Sequence, residues 1–113
     1  MSDNCIFCKI ASKRIPVEPL YEDENFIAFH DMNPQAPVHA LVIPKTHFET
    51  IMELDDEALM VGAFRAVQAT AKALNLTEEG FRTVINCREN GGQTVYHLHF
   101  HILGGRFMQW PPG

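Results

Sequence analysis

Near its C-terminus the chain reads Tyr-His-Leu-His-Phe-His-Ile-Leu over residues 96–103, so three of its six histidines fall within five positions. In an extended strand successive side chains point to opposite faces, which puts His97, His99 and His101 on one face and Leu98, Phe100 and Ile102 on the other. The apolar row belongs against a core, and the imidazole row then looks into a cleft or into solvent. Three readings are open. The row is a solvated strand face, or it holds a metal, or it works on a phosphate. Same-face neighbours lie about 6.6–6.8 Å apart, so His97 and His101 are about 13 Å apart and the whole row does not converge on one ion. A neutral imidazole is a good nucleophile at phosphorus near pH 7 and a good leaving group when water follows, while flanking imidazoles can hold charge on a polyanion.

A second constellation is Cys5-x-x-Cys8 near the N-terminus, with Cys87 as the third and last cysteine. An odd number of thiols does not suit a disulfide framework, so the chain reads as a cytoplasmic protein. By itself the Cys-x-x-Cys spacing is a weak signal, compatible with free thiols on a helix.

The elements that must position these groups are legible in outline. A short helix is expected in residues 4–16, capped by Asn4 and closed by Pro16. Residues 19–32 read as a hairpin with strands centred on Tyr21 and Ile27 and a polar turn at Asp23-Glu24-Asn25. Residues 38–44 form a β-rich strand. The one long helix lies within residues 55–76, where Leu59, Ala63, Val67, Thr70, Ala71 and Leu74 keep helical spacing behind a cap at Asp55 or Asp56. Strands follow at 80–87 and 95–103, and the Gly- and Pro-rich tail is irregular. Hairpins with one substantial helix make an α+β domain whose mainly antiparallel sheet is covered on one side.

The 113 residues are expected to form a single domain, residues 1–113. A formal net charge of −5 argues against a broad electrostatic grip on nucleic acid or on an anionic membrane, though not against a small phosphate ligand. No apolar run reaches the about 20 residues of a membrane span.

His97-Leu-His-Phe-His-Ile-Leu103 fits the histidine-triad signature at all seven positions, and with Gly91-Gly-Gln93, the segment 29–47 and the closing Trp-Pro-Pro-Gly it resembles the histidine-triad (HIT) family over nearly the whole chain. The match is to the Hint-type, nucleotide-binding and phosphoramidase-like branch. That resemblance implies a five-stranded HIT-like fold with one long and one short helix, and a homodimer whose sheets join into a continuous ten-stranded one. It implies a hydrolase that releases a purine nucleoside 5′-monophosphate from an amine through a nucleotidyl-histidine intermediate. His99 would be the nucleophile, His101 would meet the α-phosphate, His97 would lie further back, and His39 would orient the nucleophile. Asp31 would bind the ribose hydroxyls, with a turn cap as its alternative role. Ile6, Phe7, Ile10, Phe29 and Met32 would surround the base, and Asn86, Thr94 and the Val95 N–H would meet the phosphate or leaving group. Gly91 and Gly92 would let backbone approach the ligand. Trp110 would act from the tail, across a dimer, or pack on its own surface.

The chemistry itself requires no cofactor. Some bacterial members bind zinc, and by resemblance Cys5, Cys8, His47 and His97 would make a structural Zn²⁺ set, with free thiols as the alternative. Thr94 departs from the serine of many relatives. Other readings are a dinucleoside polyphosphate hydrolase, a nucleotide-binding regulatory module and a small non-catalytic zinc protein. The leaving-group proton donor, His101 or His39 by relay, stays open, as does adenine against guanine.

Overall fold

The structure, a computed structural model, describes residues 4–113. Strands β1 (Tyr21–Glu22), β2 (Phe26–His30), β3 (Val38–Pro44), β4 (Arg82–Val84) and β5 (Phe100–Gly104) form one sheet in the order β1-β2-β3-β5-β4. All its pairings are antiparallel, so the α+β class holds. Helix α1 (Ile6–Ala11) precedes the sheet, and helix α2 (Glu57–Ala73) connects β3 to β4 after a short 3₁₀ turn at Ile51–Glu53.

The β1–β2 turn forms as expected because the Asp23 carboxylate accepts from the N–H groups of both Asn25 and Phe26 at 2.8 Å. Helix α2 starts where Asp56 caps it, accepting from the Leu59 N–H at 2.9 Å. Its buried face is Ala63, Ala66, Val67, Thr70 and Ala71. Small side chains there let the helix lie close to Phe26, Ala28, Ala40, Val42, Phe100 and Ile102 on one sheet face. Truncating a fully buried residue of this layer, such as Ile102, costs about 2–5 kcal/mol.

Register carries the odd-numbered residues of the paired strands to the other face: Ile27 opposite Ile43, Phe29 opposite Leu41, and Leu41 opposite His101. Phe7 and Ile10 of α1 pack there against Ile27, Phe29, Leu41 and Ile43. The sheet is therefore covered on both sides, not one, with α1 occupying only part of the second face. The uncovered part holds the imidazoles.

Three expected boundaries move. Helix α1 is capped by Cys5, not Asn4: Cys5 keeps an extended backbone and its Sγ accepts from the Cys8 N–H at 3.3 Å. The β4 ladder is confined to Arg82–Val84 within the longer expected stretch. The last strand begins at Phe100, not Val95. Val42 pairs with Phe100, so continued pairing would set Leu98 opposite Pro44, which has no N–H to give. Leu98 instead donates to the Phe48 carbonyl at 2.6 Å, and the chain carrying His97 and His99 leaves the ladder. The alternation survives this departure, since Leu98 still packs in the α2-side core.

Candidate active site and metal centre

His99 is held by its own chain. Its Nδ1 lies 2.7 Å from the main-chain carbonyl of His97, which can only accept, so Nδ1 carries the proton and Nε2 is bare. The edge of Phe7 packs against the ring at a centroid distance of 5.1 Å, and His101 sits beside it at 5.0 Å.

A second chain of bonds fixes the other two imidazoles. The Gln35 N–H donates to His39 Nδ1 at 3.0 Å, so the His39 proton is on Nε2. That N–H faces His101 Nδ1 at 2.9 Å and the Asp31 carboxylate at 3.4 Å. His101 therefore accepts at Nδ1 and carries its own proton on Nε2. Burial pushes the His101 pKa down to about 4, helped by the neighbouring His99 and His39. Burial also lowers His99 and His39, with the His97 carbonyl and Asp31 opposing at His99 and Asp31 opposing at His39. All three are neutral at pH 7.

These groups close one end of a cleft of about 620 Å³. Ile6, Phe7 and Ile10 form the wall on the α1 side, and Phe29 and Leu41 the floor. Asp31 and Met32 stand at the rim, and Gly92, Thr94 and Val95 complete the lining. Beyond His39 and His101 lies a smaller hollow of about 180 Å³, bounded also by Gln35, Val84, Asn86 and Leu103.

Most of the residues singled out in the sequence meet here, with four adjustments. Asn86 borders the smaller hollow and not the cleft, because its side-chain amide donates to the Gly91 carbonyl at 2.7 Å. Gly91 serves its own loop: a Cβ there would lie 2.5 Å from the Cys87 carbonyl oxygen, whereas Gly92, at φ +76°, borders the cleft. Trp110 does not line this chain's cleft; it stands 79% exposed in the tail beside the Arg82 guanidinium, while Arg82 also donates to the Gln109 carbonyl at 2.9 Å. Asp31 takes the turn-capping role, one carboxylate oxygen accepting from the Asn33 N–H at 2.7 Å, and its other oxygen faces His39 at the rim of the cleft.

His97 is fully buried behind the cleft, and its ring belongs to a second group. Its Nε2–H donates to the Pro44 carbonyl at 2.8 Å, leaving Nδ1 bare. That nitrogen lies 3.1 Å from His47 Nδ1, 3.3 Å from Cys5 Sγ and 3.5 Å from Cys8 Sγ, and Cys8 Sγ lies 3.2 Å from His47 Nδ1. A tetrahedron built on usual zinc bond lengths has edges of about 3.3 Å between nitrogens and about 3.6 Å between nitrogen and sulfur. The four donors fit Zn²⁺, and the Pro44 carbonyl is the kind of outer partner that fixes a ligand histidine. Asp31, His39 and His101 also cluster. The His39–His101 hydrogen bond uses the facing nitrogens of that trio, so it does not make a comparable site.

Two contributors carry little signal in the sequence. Gln35 acts through its main-chain N–H, and Leu41 reads as an ordinary core residue of β3. Gln93 acts from behind: its buried side-chain amide donates to the Glu49 and Val95 carbonyls at 2.7 and 3.1 Å and accepts from the Arg88 N–H at 2.9 Å.

Comparison with known proteins agrees with this geometry. The family model described as HIT domain matches residues 12–108. An uncharacterized HIT-like protein of Synechococcus elongatus is 50% identical over the full length of both chains. Protein HitA of Neisseria gonorrhoeae is 48% identical over 90% of this chain and 96% of its own. The crystal structure of a HIT family hydrolase from Legionella pneumophila superimposes with a TM-score of 0.91 at 48% identity, covering 97% of this chain and 100% of that one. With the histidine motif placed at the cleft and the cluster behind it, the fold matched and the family model spanning most of its length, this chain belongs to the HIT domain family.

Proposed function

We propose that the chain is a purine nucleoside phosphoramidate hydrolase, releasing a nucleoside 5′-monophosphate from an amine. The observation that carries this reading is the His99 tautomer, with Nδ1 committed to the His97 carbonyl and Nε2 bare at the end of an apolar cleft. The Legionella relative, named a hydrolase, supports hydrolysis as the reaction class.

The base lies against Ile6, Phe7, Ile10 and Phe29, near Met32, and the ribose hydroxyls donate to Asp31. The α-phosphate then reaches His99 and His101, with Thr94 and Val95 beside it. His99 Nε2 attacks phosphorus and forms a P–N bond as the bond to the leaving amine breaks. The imidazolium so made keeps its Nδ1–H on the His97 carbonyl, which needs no reorganisation. The departing amine must gain a proton. His101 Nε2–H is the nearest donor in the hydrogen-bond chain; it passes that proton to the amine as a proton from solvent replaces it, while His39 Nε2–H holds His101 at Nδ1. Water then attacks phosphorus, the His99–phosphorus bond breaks, and the monophosphate leaves.

The smaller hollow, about 180 Å³ and open to solvent, lies beside His101 where a leaving amine would stand. A dinucleoside polyphosphate is the second substrate reading, and a purely regulatory nucleotide module is the reading that remains if no turnover occurs.

Zn²⁺ would be held by Cys5, Cys8, His47 and His97, supplying a structural cross-link and no reaction step. A reducing, cytoplasmic compartment suits thiol ligands. The exposed apolar residues Met60, Val61 and Phe64 on α2, together with the outer edge of β4, suit a homodimer. Among the described residues no helix is long and apolar enough to cross a membrane.

The test is AMP release from adenosine 5′-phosphoramidate by the wild type and by His99→Gly. Release by the wild type and loss in the variant is expected. No release by either protein sinks the enzymatic reading, and equal release by both assigns the nucleophile elsewhere.

A further inference from the structure

Helix α1 serves two sites at once. Its Cys8 and the capping Cys5 face His47 and His97 in the donor cluster. Ile6, Phe7 and Ile10, interleaved with those thiols, form one wall of the cleft. The two sites also meet at His97: its ring lies in the cluster, and its carbonyl holds His99 at 2.7 Å. The Phe7 ring bridges them, edge-on to His97 at 5.8 Å and to His99 at 5.1 Å.

What keeps α1 in place is limited. Six residues are too few for a helix to persist without tertiary support. Its cap is a thiol sulfur, a weak acceptor, and no acidic side chain stands in its first turn. Packing of Phe7, Cys8 and Ile10 holds one side. A cation in the cluster would add bonds from α1 to the loop after β3, through His47, and to the segment before β5, through His97.

We infer that occupancy of the Cys5, Cys8, His47 and His97 site sets nucleotide affinity, a thiolate- and imidazole-preferring divalent cation locking α1 as the wall of the cleft. Nucleotide in the cleft holds the same wall from its other side, so by linkage it tightens the cation by the same factor. The inference rests on the nucleotide reading of the cleft and on the zinc fit of the cluster.

The experiment is a calorimetric titration of AMP into the zinc-loaded full chain and into the chelator-stripped chain. A chelator competition for zinc with and without AMP accompanies it. AMP binds the loaded form at least about fivefold more tightly, the lower end of ordinary site–site coupling, and zinc is held more tightly by the same factor when AMP is present. The Cys5→Ser/Cys8→Ser variant binds AMP as weakly as the stripped protein, with or without zinc. Equal AMP affinity in the two forms overturns the coupling and leaves the nucleotide reading standing. Failure of the wild type to take up one zinc overturns it as well. So does loss of the far-UV circular dichroism of the whole fold on stripping, because the effect would then not belong to α1. AMP binding to neither form removes the nucleotide reading itself.

Discussion

The main-chain carbonyl of His97 lies 2.7 Å from His99 Nδ1, while the ring of His97 lies in the Cys5, Cys8 and His47 cluster. One residue thus connects the Cys/His cluster to the bare nitrogen at the head of the cleft. The alternation of imidazoles serves two sites, with His97 turned to one and His99 and His101 to the other.

If His99 Nε2 is the attacking atom, shortening the side chain removes the nucleophile and leaves a space of imidazole size. His99→Gly should lose at least about a thousandfold in turnover, within the range seen for lost nucleophiles. Added imidazole should restore part of it in a saturable manner. AMP release measured against imidazole concentration checks this, and a variant with wild-type turnover and no response to imidazole would refute it.

Under the proposed reading Asp31 binds the ribose, and its carboxylate also lies 3.4 Å from His39 Nε2. At His99 burial lowers the pKa, and the Asp31 charge opposes that change. Removing the charge in Asp31→Asn therefore drops the His99 pKa further below its ordinary 6.5. Nucleophilic His99 must be neutral, so the acid limb of kcat/KM should move to lower pH in the variant, while KM rises from the weakened ribose contact. An acid limb that stays put, or moves to higher pH, contradicts the proposed coupling.

The pKa of His101, about 4 in the folded chain against 6.5 ordinarily, has a consequence for stability. Between those values the unfolded chain takes up a proton that the folded chain refuses, so folding stability rises with pH across that window and is lost as pH falls. Urea midpoints measured at several pH values from 7 to 4.5 should fall towards acid. In His101→Gln, which has no such proton to take up, the fall should be shallower, and release of metal in acid affects both proteins alike. Parallel pH profiles would place the acid sensitivity on other groups.

The strand Val38–Pro44 and the helix Glu57–Ala73 were legible because hydrophobic spacing and a carboxylate cap fix them locally. The ladder's end at Phe100 was not, because it depends on a proline 56 positions earlier that lies opposite only in the folded sheet. The same divide runs through the site. His97, His99 and His101 announce themselves by type and spacing, whereas Gln35 contributes an N–H that every residue but proline carries. Asn86 reads as a ligand contact by resemblance; in the fold its amide donates to the Gly91 carbonyl of its own loop while the residue borders the smaller hollow. Side-chain identity shows what a residue can do, and only the fold shows what it is already bonded to.

Gln93 is the clasp behind Thr94 and Val95. Gln93→Met keeps the bulk and removes three hydrogen bonds, leaving the Glu49 and Val95 carbonyls and the Arg88 N–H without this partner. Loss of stability by about 1–3 kcal/mol is expected, with a rise in KM greater than the fall in kcat because the loop beside the phosphate loosens. Denaturant unfolding and steady-state kinetics on the same preparation check both parts; unchanged stability would show that the clasp carries no energy.

Met60, Val61 and Phe64 are 41%, 53% and 61% exposed, and they form an apolar stripe along the outside of α2. A lone chain gains nothing from leaving such a stripe in water, at about 25 cal/mol for each Å² of apolar surface. Covering it with the same stripe of a second copy satisfies a two-fold interface. The edge strand β4 could then pair across the axis and extend the sheet. Sedimentation equilibrium should give twice the 12.8 kDa chain mass for the wild type. Val61→Asp places a charge in the middle of the stripe without touching the buried face of the helix, and should return the species to a single chain mass. Phe64→Asp should do the same at some cost in stability, because the Phe64 ring also packs edge-on against Phe100 at 6.4 Å. A wild type that sediments as one chain, or a Val61→Asp variant that stays paired, rules out this face as the interface.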